Sequence, residues 1–343
     1  MPRVAVIFTG GTISMQADDA AGGNIPTLDG AAILALTPGL REIAEVVAVD
    51  RGLTPASHFT FPGLIELAGA IRTALADAST DGAVVVQGTD TIEETAFLFD
   101  LLLGGEKPVV VTGAMRAASQ TGYDGPTNLR DSIRAAAAPE LRGQGALVVM
   151  AGAVHAADDV TKAHTSSLTA FQSLNFGPLG EVEGDRLIIG RRRVGRRHIE
   201  TETAAEPVDL ITAAVSMDGR LVDAAVAAGS RGLVIEATGS GNTSVGLLQA
   251  SSRAIEAGIP VVLASRCPAG RAGGAYAFPG GGATWLRAGA MLPGYLPGPK
   301  ARVALALGLG AGLTGKGLAE LLADPPANPV VVTRADPMAD SPD

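Results

Sequence analysis

The chain has 343 residues, more than a single hydrophobic core usually supports, so its length predicts two domains. Hydrophobic residues make up 47% of it and aromatic residues only 3%, which is typical of parallel strands of Ala, Val, Leu and Ile covered by helices. A net charge of −9 argues against nucleic acid as the main partner, because binding DNA or RNA depends on a basic face that neutralises phosphates.

The same counts indicate a cytoplasmic protein. The single cysteine, Cys267, cannot form an internal disulfide, and we expect it to be a small core side chain after a strand. The first apolar run is short and lacks the cleavage site of a signal peptide. Because no apolar stretch reaches the ~20 residues that cross a bilayer, we expect no membrane partner.

Apolar runs of strand length recur along the chain, with helical patterns between them. In residues 61–78, Leu64, Leu67 and Ile71 lie on one stripe of an amphipathic helix. Continuous apolar strands separated by helices predict an α/β fold with a doubly wound, mostly parallel sheet of the flavodoxin or Rossmann type. The predicted strands are residues 4–8, 82–87, 108–113, 145–152, 232–239 and 260–266.

Residues 190–208 interrupt this pattern with a basic cluster, an acidic cluster and a proline. In an acidic chain with no aromatic residues among the arginines, this composition favours a solvated connector over a nucleic-acid patch. We therefore expect a larger N-terminal domain at 1–189, a linker at 190–208 and a smaller C-terminal α/β domain at 209–343. The last ~10 residues are expected to be loosely held.

Ligands of an open parallel sheet bind beyond the carboxyl ends of its strands. After the first strand, “TGGT” (9–12) presents two threonines around two glycines, which suits either a tight turn or the mount of a nucleophile. After a later strand comes “QGTDTIEETA” (87–96), in which Thr91 and Glu94 have the spacing of a capping box. This spacing places Thr89 and Asp90 just before the N-terminus of a helix.

Thr89 and Asp90 are ordinary residues before a helix, so the segment alone is as consistent with a structural role as with a functional one. A helix N-terminus also favours a carboxylate, and Asp90 could hold an ammonium group; together they would suit an amino acid. Lys162, in “DDVTKAHT” (158–165), is the third candidate. It is either a solvated surface lysine or, if it lies beside Thr89 and Asp90, a group that activates a hydroxyl.

These motifs, with “TGAMR” (112–116), have the order and spacing of the bacterial-type L-asparaginase family, which the chain resembles. Members of that family hydrolyse asparagine, and often glutamine more slowly, to the acid and ammonia. The resemblance extends over nearly the whole chain through “SLNFGPLG” (173–180), “GSGN” (239–242) and “PKARVALAL” (299–307).

The resemblance implies that Thr12 is the nucleophile, which forms a covalent acyl-enzyme that water then hydrolyses. Thr89, Asp90 and Lys162 match the group that tunes the threonine hydroxyl and assists at the amide. A weak hydroxyl nucleophile needs such a neighbour, and the developing negative charge needs fixed donors.

The resemblance also implies the binding residues. Ser57 holds the substrate α-carboxylate, beside His58 where many relatives have glutamine, and Asp90 also takes the α-ammonium group. Gly11 and Thr89 offer backbone N–H groups to the oxyanion, Ala114 offers its carbonyl to the amide nitrogen, and Asn242 approaches from a partner subunit. The family is typically a dimer of dimers. The four histidines lack metal-ligand spacing, so no metal or cofactor is expected.

Two departures from the family pattern stand out. The tyrosine of the mobile loop after the nucleophile is replaced by Asn24, which cannot act as a base. Activation of Thr12 then rests either on Thr89, Lys162 and bound water or on a tyrosine from elsewhere, for which Tyr276 of a facing subunit is the candidate. The C-terminal segment 271–285 lacks the glutamate that many relatives send into the neighbouring site. We expect weaker substrate affinity than in periplasmic relatives, and a closer likeness to the cytoplasmic type I enzymes.

Two other functions compete with amide hydrolysis. “GAGLTGKG” (310–317) approaches the spacing of a phosphate-binding loop, but Gly317 stands where Ser or Thr should bind Mg²⁺ and a helical pattern precedes it, which favours a helix end and a loop. A non-catalytic sensor of asparagine or aspartate on the same fold would need Ser57 and Asp90 but not Thr12, Thr89 and Lys162 together.

Overall fold

A computed structural model of the chain describes residues 1–18 and 20–325, and the backbone of residues 330–332. The chain divides into two compact units, Met1–Arg196 and Arg197–Asp343. The expectation for the last residues of the tail lies outside the described residues.

The first unit contains a large sheet covered by helices. Its strands are β1 (Arg3–Phe8), β2 (Met15–Asp18), β3 (Gly23–Pro26), β4 (Glu45–Asp50), β5 (Gly82–Val86), β6 (Val109–Thr112), β7 (Ala146–Met150), β8 (Ala153–Ala156), β9 (Val160–Lys162), β10 (Phe171–Ser173), β11 (Gly180–Glu183) and β12 (Arg186–Ile189). Its α-helices are α1 (Gly30–Ala35), α2 (Phe61–Ala76), α3 (Ile92–Leu102) and α4 (Gly125–Ala137).

The sheet has eight strands in the order β12-β11-β8-β7-β6-β5-β1-β4. Strands β4, β1, β5, β6 and β7 are parallel, and β8, β11 and β12 extend the sheet in antiparallel fashion. Val6 and Val84 pack with Leu129 of α4 and Ile33 of α1 on one face, while α2 and α3 pack together against the sheet. The predicted doubly wound, mostly parallel sheet is confirmed.

The parallel register aligns the carboxyl ends of the three central strands. Phe8 of β1 lies opposite Val86 of β5, which in turn lies opposite Thr112 of β6. The segments that follow these strands therefore begin side by side at one edge of the sheet. They contain the “TGGT”, “QGTDT” and “TGAMR” motifs.

The second unit has a smaller sheet of its own, in which β14, β15 and β16 are parallel neighbours in that order. Its core surrounds Trp285, which is fully buried. The elements of this unit are β13 (Arg197–Ile199), β14 (Val208–Thr212), α5 (Arg220–Ala227), β15 (Gly232–Ala237), α6 (Val245–Glu256), β16 (Val261–Ser265), α7 (Gly282–Arg287), α8 (Gly298–Gly310), α9 (Gly315–Leu322) and β17 (Val330–Val332).

The segment “GAGLTGKG” joins two helices. Helix α8 ends at Gly310 and α9 begins at Gly315, so the segment is a helix end followed by a turn, as predicted. A phosphate-binding loop would instead follow a strand.

The expectation of a solvated connector is wrong for two arginines of the segment 190–208. The Arg193 side chain is 5% exposed, and its Nη2 lies 2.8 Å from Asp100 Oδ2 and 2.8 Å from Asp158 Oδ2. Arg196 Nε lies 3.2 Å from Asp100 Oδ1. Because Asp100 is fully buried in α3, it requires cationic partners, and the arginines supply them.

Cys267 is exposed, so its predicted core position is also wrong. It lies beyond Ser265, the last residue of β16, where its backbone N–H donates to the Ser265 hydroxyl at 3.1 Å. Across the helices described in residues 1–18 and 20–325, none is long and apolar enough to cross a membrane.

Candidate active site

The turn after β1 requires glycine at two positions. Gly10 and Gly11 have φ angles of +102° and +96°, in the left-handed region that other residues rarely adopt. A Cβ on Gly11 would lie 2.1 Å from the backbone nitrogen of Gly88, and one on Gly10 would lie 2.8 Å from Leu53 Cα. The “TGGT” turn therefore contacts the segment after β5 backbone to backbone.

The two threonines of this turn differ in their surroundings. Thr9 is buried, and its hydroxyl donates to the Val86 carbonyl of β5 at 3.0 Å. Thr12 is half-buried and begins a single turn of 3₁₀ helix, Thr12–Ser14. Within the described part of the chain, the Thr12 hydroxyl has no hydrogen-bond partner. Thr9 therefore links the turn to β5, whereas the Thr12 hydroxyl is available for a reaction.

A lysine, a threonine and an aspartate meet beyond the end of β5. Lys162 Nζ donates to Thr89 Oγ1 at 3.0 Å and to Asp90 Oδ1 at 2.8 Å. The Lys162 side chain is 14% exposed and that of Asp90 is 73% exposed, so the carboxylate faces solvent while the ammonium group is largely enclosed. The three candidate residues are brought together, with Thr89 itself buried.

Lys162 lies at the end of β9, opposite Phe171 of β10. The preceding residue, Thr161, donates from its hydroxyl to the Glu93 carboxylate of α3. This bond holds the lysine strand against the helix that follows Asp90. Sequence reasoning missed the roles of Glu93 and Thr161.

Thr89 and Asp90 lie in a 3₁₀ turn, Thr89–Thr91, just before α3, as predicted. The predicted capping box is wrong. Thr91 does occupy the N-cap position, but its hydroxyl accepts no hydrogen bond from the helix N–H groups and instead donates to the Ala56 carbonyl at 3.1 Å.

That bond places the 3₁₀ turn Ala56–His58 against the Asp90 segment, so that Ser57 and His58 are its neighbours. Both side chains are exposed. His58 lines a cavity of about 280 Å³ beside the turn, together with Thr9 and Thr54.

The segment after β6 is held by hydrogen bonds to α4. Ala114 is fully buried there. The Asn128 side chain donates to the Gly113 carbonyl at 3.0 Å, and the Asp124 carboxylate accepts from the backbone N–H groups of Met115 and Arg116 at 3.0 and 2.9 Å. The Ala114 backbone is thus fixed on both sides.

Tyr123, a residue that sequence reasoning passed over, reaches the “TGGT” segment. Its hydroxyl donates to the Ile13 carbonyl at 2.7 Å, one residue beyond Thr12. Burial, and then the neighbouring Asp124 carboxylate, raise the pKa of the Tyr123 phenol above its ordinary value. Its sequence distance of 110 residues from Ile13 explains why no local pattern could reveal the contact.

Asn24 lies on β3 opposite Ala17 of β2, with its side chain exposed. Asn242 and Tyr276 belong to the second unit. Asn242 is half-buried and bridges to Thr238, and Tyr276 is 47% exposed beside Phe278.

Among the described residues, no group of three or more His, Cys, Asp or Glu side chains is arranged to hold a metal ion. A free hydroxyl on a glycine turn can attack a carbonyl, and an ammonium group beside a second hydroxyl and a carboxylate can stabilise the charges that form.

Comparison with known proteins gives consistent results along the chain. The family model described as “Asparaginase, N-terminal” matches residues 3–194, and “Glutaminase/Asparaginase C-terminal domain” matches residues 207–322. An L-asparaginase of Bacillus licheniformis is 31% identical over 305 residues, covering 89% of this chain and 94% of the relative. A probable L-asparaginase of Deinococcus radiodurans is 35% identical over 319 residues, covering 91% and 94%.

A solved structure extends the likeness to three dimensions. The crystal structure of a probable cytoplasmic L-asparaginase from Campylobacter jejuni superposes with a TM-score of 0.84 at 25% identity. The match covers 94% of this chain and 99% of the other.

Proposed function

Because the chain belongs to the asparaginase family, we propose that it hydrolyses L-asparagine to L-aspartate and ammonia through a covalent threonyl intermediate. The observation that carries this proposal is the contact of Lys162 with Thr89 and Asp90, next to the glycine turn that presents the Thr12 hydroxyl. A protein that only bound asparagine would not need a free hydroxyl at this point.

In the proposed reaction, Thr12 Oγ1 attacks the side-chain amide carbon and loses its proton as the ester forms. The nitrogen takes up a proton and leaves as ammonia. Water then adds to the ester carbon, which releases aspartate and restores the Thr12 hydroxyl. The backbone N–H groups of Gly11 and Thr89 would donate to the oxyanion in both steps.

The neighbouring groups have separate roles in this proposal. Thr89 Oγ1 accepts a hydrogen bond from Lys162, so the Thr89 hydroxyl proton is directed elsewhere, towards the reacting amide. The Lys162 ammonium stabilises negative charge that develops on the hydroxyls, and Asp90 balances the ammonium.

Substrate binding would use groups around the same edge of the sheet. The exposed Asp90 carboxylate takes the α-ammonium group, and Ser57 takes the α-carboxylate. His58 lies beside Ser57. The Ala114 carbonyl accepts a hydrogen bond from the amide nitrogen of the substrate. A pocket for asparagine differs from one for glutamine by a single methylene, worth about 1–3 kcal/mol, so slower glutamine hydrolysis is compatible with this site.

Ammonia release from L-asparagine tests the proposal. We expect Thr12→Ala to abolish it, whereas Thr9→Val, which removes the other hydroxyl of the turn, lowers thermal stability and retains turnover. Mass spectrometry after reaction with an electrophilic asparagine analogue should find the label on Thr12. Asparagine binding without ammonia release or label would instead indicate the sensor, and label on Thr89 would exchange the roles of the two threonines.

We further propose a cytoplasmic homo-oligomer built as a dimer of dimers, in which Asn242 of one chain completes the site of another. We also propose that residues 1–189 and 209–343 are the two domains of the chain. Mixing Thr12→Ala chains with Asn242→Ala chains should restore activity through sites that receive both wild-type residues. Failure of the mixture to exceed either variant would contradict sharing of the site.

A further inference from the structure

Residues 113–124 connect β6 to α4 and are called the platform; several hydrogen bonds hold this segment. Besides the bonds from Met115 and Arg116, the Asp124 carboxylate accepts from Asn128 Nδ2 at 2.9 Å. The Ala117 N–H donates to the Gln120 side chain at 2.8 Å. The platform is therefore fixed to the first turn of α4 and by bonds within itself.

This platform contacts the nucleophile segment and the hairpin beyond it at three points. The Tyr123 hydroxyl donates to the Ile13 carbonyl at 2.7 Å. The Ala118 N–H donates to the Met15 carbonyl at 2.9 Å, and Ser119 Oγ accepts from the Ala17 N–H at 3.0 Å. The β2–β3 hairpin, whose base these bonds hold, carries the exposed Asn24.

Ile13 is held on both of its sides. Its side chain is fully buried in the hydrophobic core, and its carbonyl accepts a hydrogen bond from the Tyr123 phenol. Since Ile13 and Thr12 belong to the same single turn, displacement of the Ile13 peptide would move the Thr12 hydroxyl. The hydroxyl itself has no partner among the described residues, so its position depends on this backbone.

We propose that Tyr123 is a positioning residue for the Thr12 nucleophile, and that it acts through the Ile13 carbonyl. Of the three tyrosines in the chain, Tyr123 is the one in the first unit. It belongs to the platform and not to the β2–β3 hairpin, and it binds the turn that contains Thr12. This role deepens the proposed function and rests on it.

Tyr123 does not act as the base. Its proton is donated to a main-chain carbonyl, and the phenol is half-buried beside the Asp124 carboxylate. A negative charge on its oxygen would face that carboxylate and lose the bond to Ile13. The hydroxyl therefore contributes geometry, and small errors in the geometry of reacting groups cost large factors in rate.

Tyr123→Phe tests the role, because it removes the hydroxyl and keeps the ring. We expect kcat to fall about tenfold with KM changed less than twofold, and the rate of Thr12 labelling by the electrophilic analogue to fall by the same factor. The matched control is Thr37→Val, which removes a different hydroxyl-to-carbonyl bond, the buried one from Thr37 to Ile33 at 2.9 Å. The control should lower the melting temperature similarly and leave kcat unchanged.

A second variant displaces the phenol without altering it. A Cβ on Gly125 would lie 2.4 Å from the Tyr123 hydroxyl, so Gly125→Ala must push the ring aside. We expect the same loss of kcat, and little further loss when it is combined with Tyr123→Phe, since both act through one bond.

The outcomes separate the two proposals. If the wild-type protein releases no ammonia and Thr12 is not labelled, the proposed function fails. If the wild-type protein is active and Tyr123→Phe keeps kcat and the labelling rate within twofold, the positioning role alone is overturned. A loss of kcat equal to that of Thr37→Val would likewise overturn it, because the effect would then be one of stability.

Discussion

Some side chains hold the fold and others are available for chemistry, and two lysines make this contrast testable. Lys162 Nζ contacts Thr89 and Asp90, whereas Lys107 Nζ donates to the Leu75 and Asp77 carbonyls at 2.8 Å each. Lys162→Met should lower kcat by about 10²–10³, because a preorganised charge at the reacting atoms is lost. Lys107→Met is the control and should lower the melting temperature alone; equal kcat values in the two variants would contradict the proposed role of Lys162.

The phenol of Tyr123 predicts a pH dependence of stability. Its pKa is raised in the folded chain by burial and by Asp124, and is about 10 when the chain is unfolded. The folded state therefore retains the phenol proton to a higher pH than the unfolded chain does. The stability that this proton contributes is complete below pH ~10 and is lost as the pH rises above that value.

Urea unfolding at pH 8 and at pH 11 measures this effect. The wild-type protein should lose more unfolding free energy between the two pH values than Tyr123→Phe, which has no phenol to titrate. An equal loss in both proteins would show that Tyr123 keeps an ordinary pKa.

At the scale of the elements, the contact between the β1 turn and the β5 segment allows no side chain between them. Gly11→Ala should abolish activity and destabilise the first unit, since its Cβ would lie 2.1 Å from the Gly88 nitrogen. Gly39→Ala is the matched control, with a similar φ of +79° but nothing within 4 Å of its Cβ. It should cost only the ~1–2 kcal/mol of a strained backbone, measured by thermal unfolding with activity retained.

The elements also show what could be predicted from sequence. All six apolar runs proposed as strands are strands, because buried parallel strands need continuous apolar residues. The short antiparallel strands β8 to β12 were not recognised, and neither were the parallel strands β4 and β14. β9 and β11 have three and four residues and mix polar with apolar side chains, so neither length nor periodicity marks them.

The residues of the candidate site could be predicted from the sequence, but the contacts that hold them could not. The strand ends place Thr12, Thr89 and Asp90 at one edge, since the strands are parallel neighbours. The predicted capping box is not formed, and the Thr91 hydroxyl donates to the carbonyl of Ala56, 35 residues away. The bonds of Tyr123 to Ile13 and Thr161 to Glu93 span 110 and 68 residues, and no local spacing encodes them.

At the scale of the whole molecule, a buried charge cluster holds the end of the first unit. Asp100 is fully buried between Arg193 and Arg196 and also accepts from the Ala146 N–H at 3.0 Å. Asp100→Asn should destabilise the protein by about 3–5 kcal/mol in thermal unfolding, because two arginines lose their buried counter-charge.

Burial alone would raise the pKa of Asp100, but Arg193 and Arg196 hold it below its ordinary value of 3.8. The stabilisation is therefore present above pH ~4 and is lost as the pH falls further. The exposed ion pair of Arg253 with Asp223, at 2.7 Å, provides a control, since Asp223→Asn should cost at most ~1 kcal/mol. A comparable loss in both variants would contradict the importance of burial.

The exposed position of Cys267 offers a way to count the subunits of an assembly. Each chain carries one thiol, Cys267, and it is exposed. A maleimide dye should therefore attach once per chain, so that the photobleaching steps of a single particle report the number of subunits. Four steps are expected from a dimer of dimers and two from a dimer, while single steps throughout would contradict any assembly of copies.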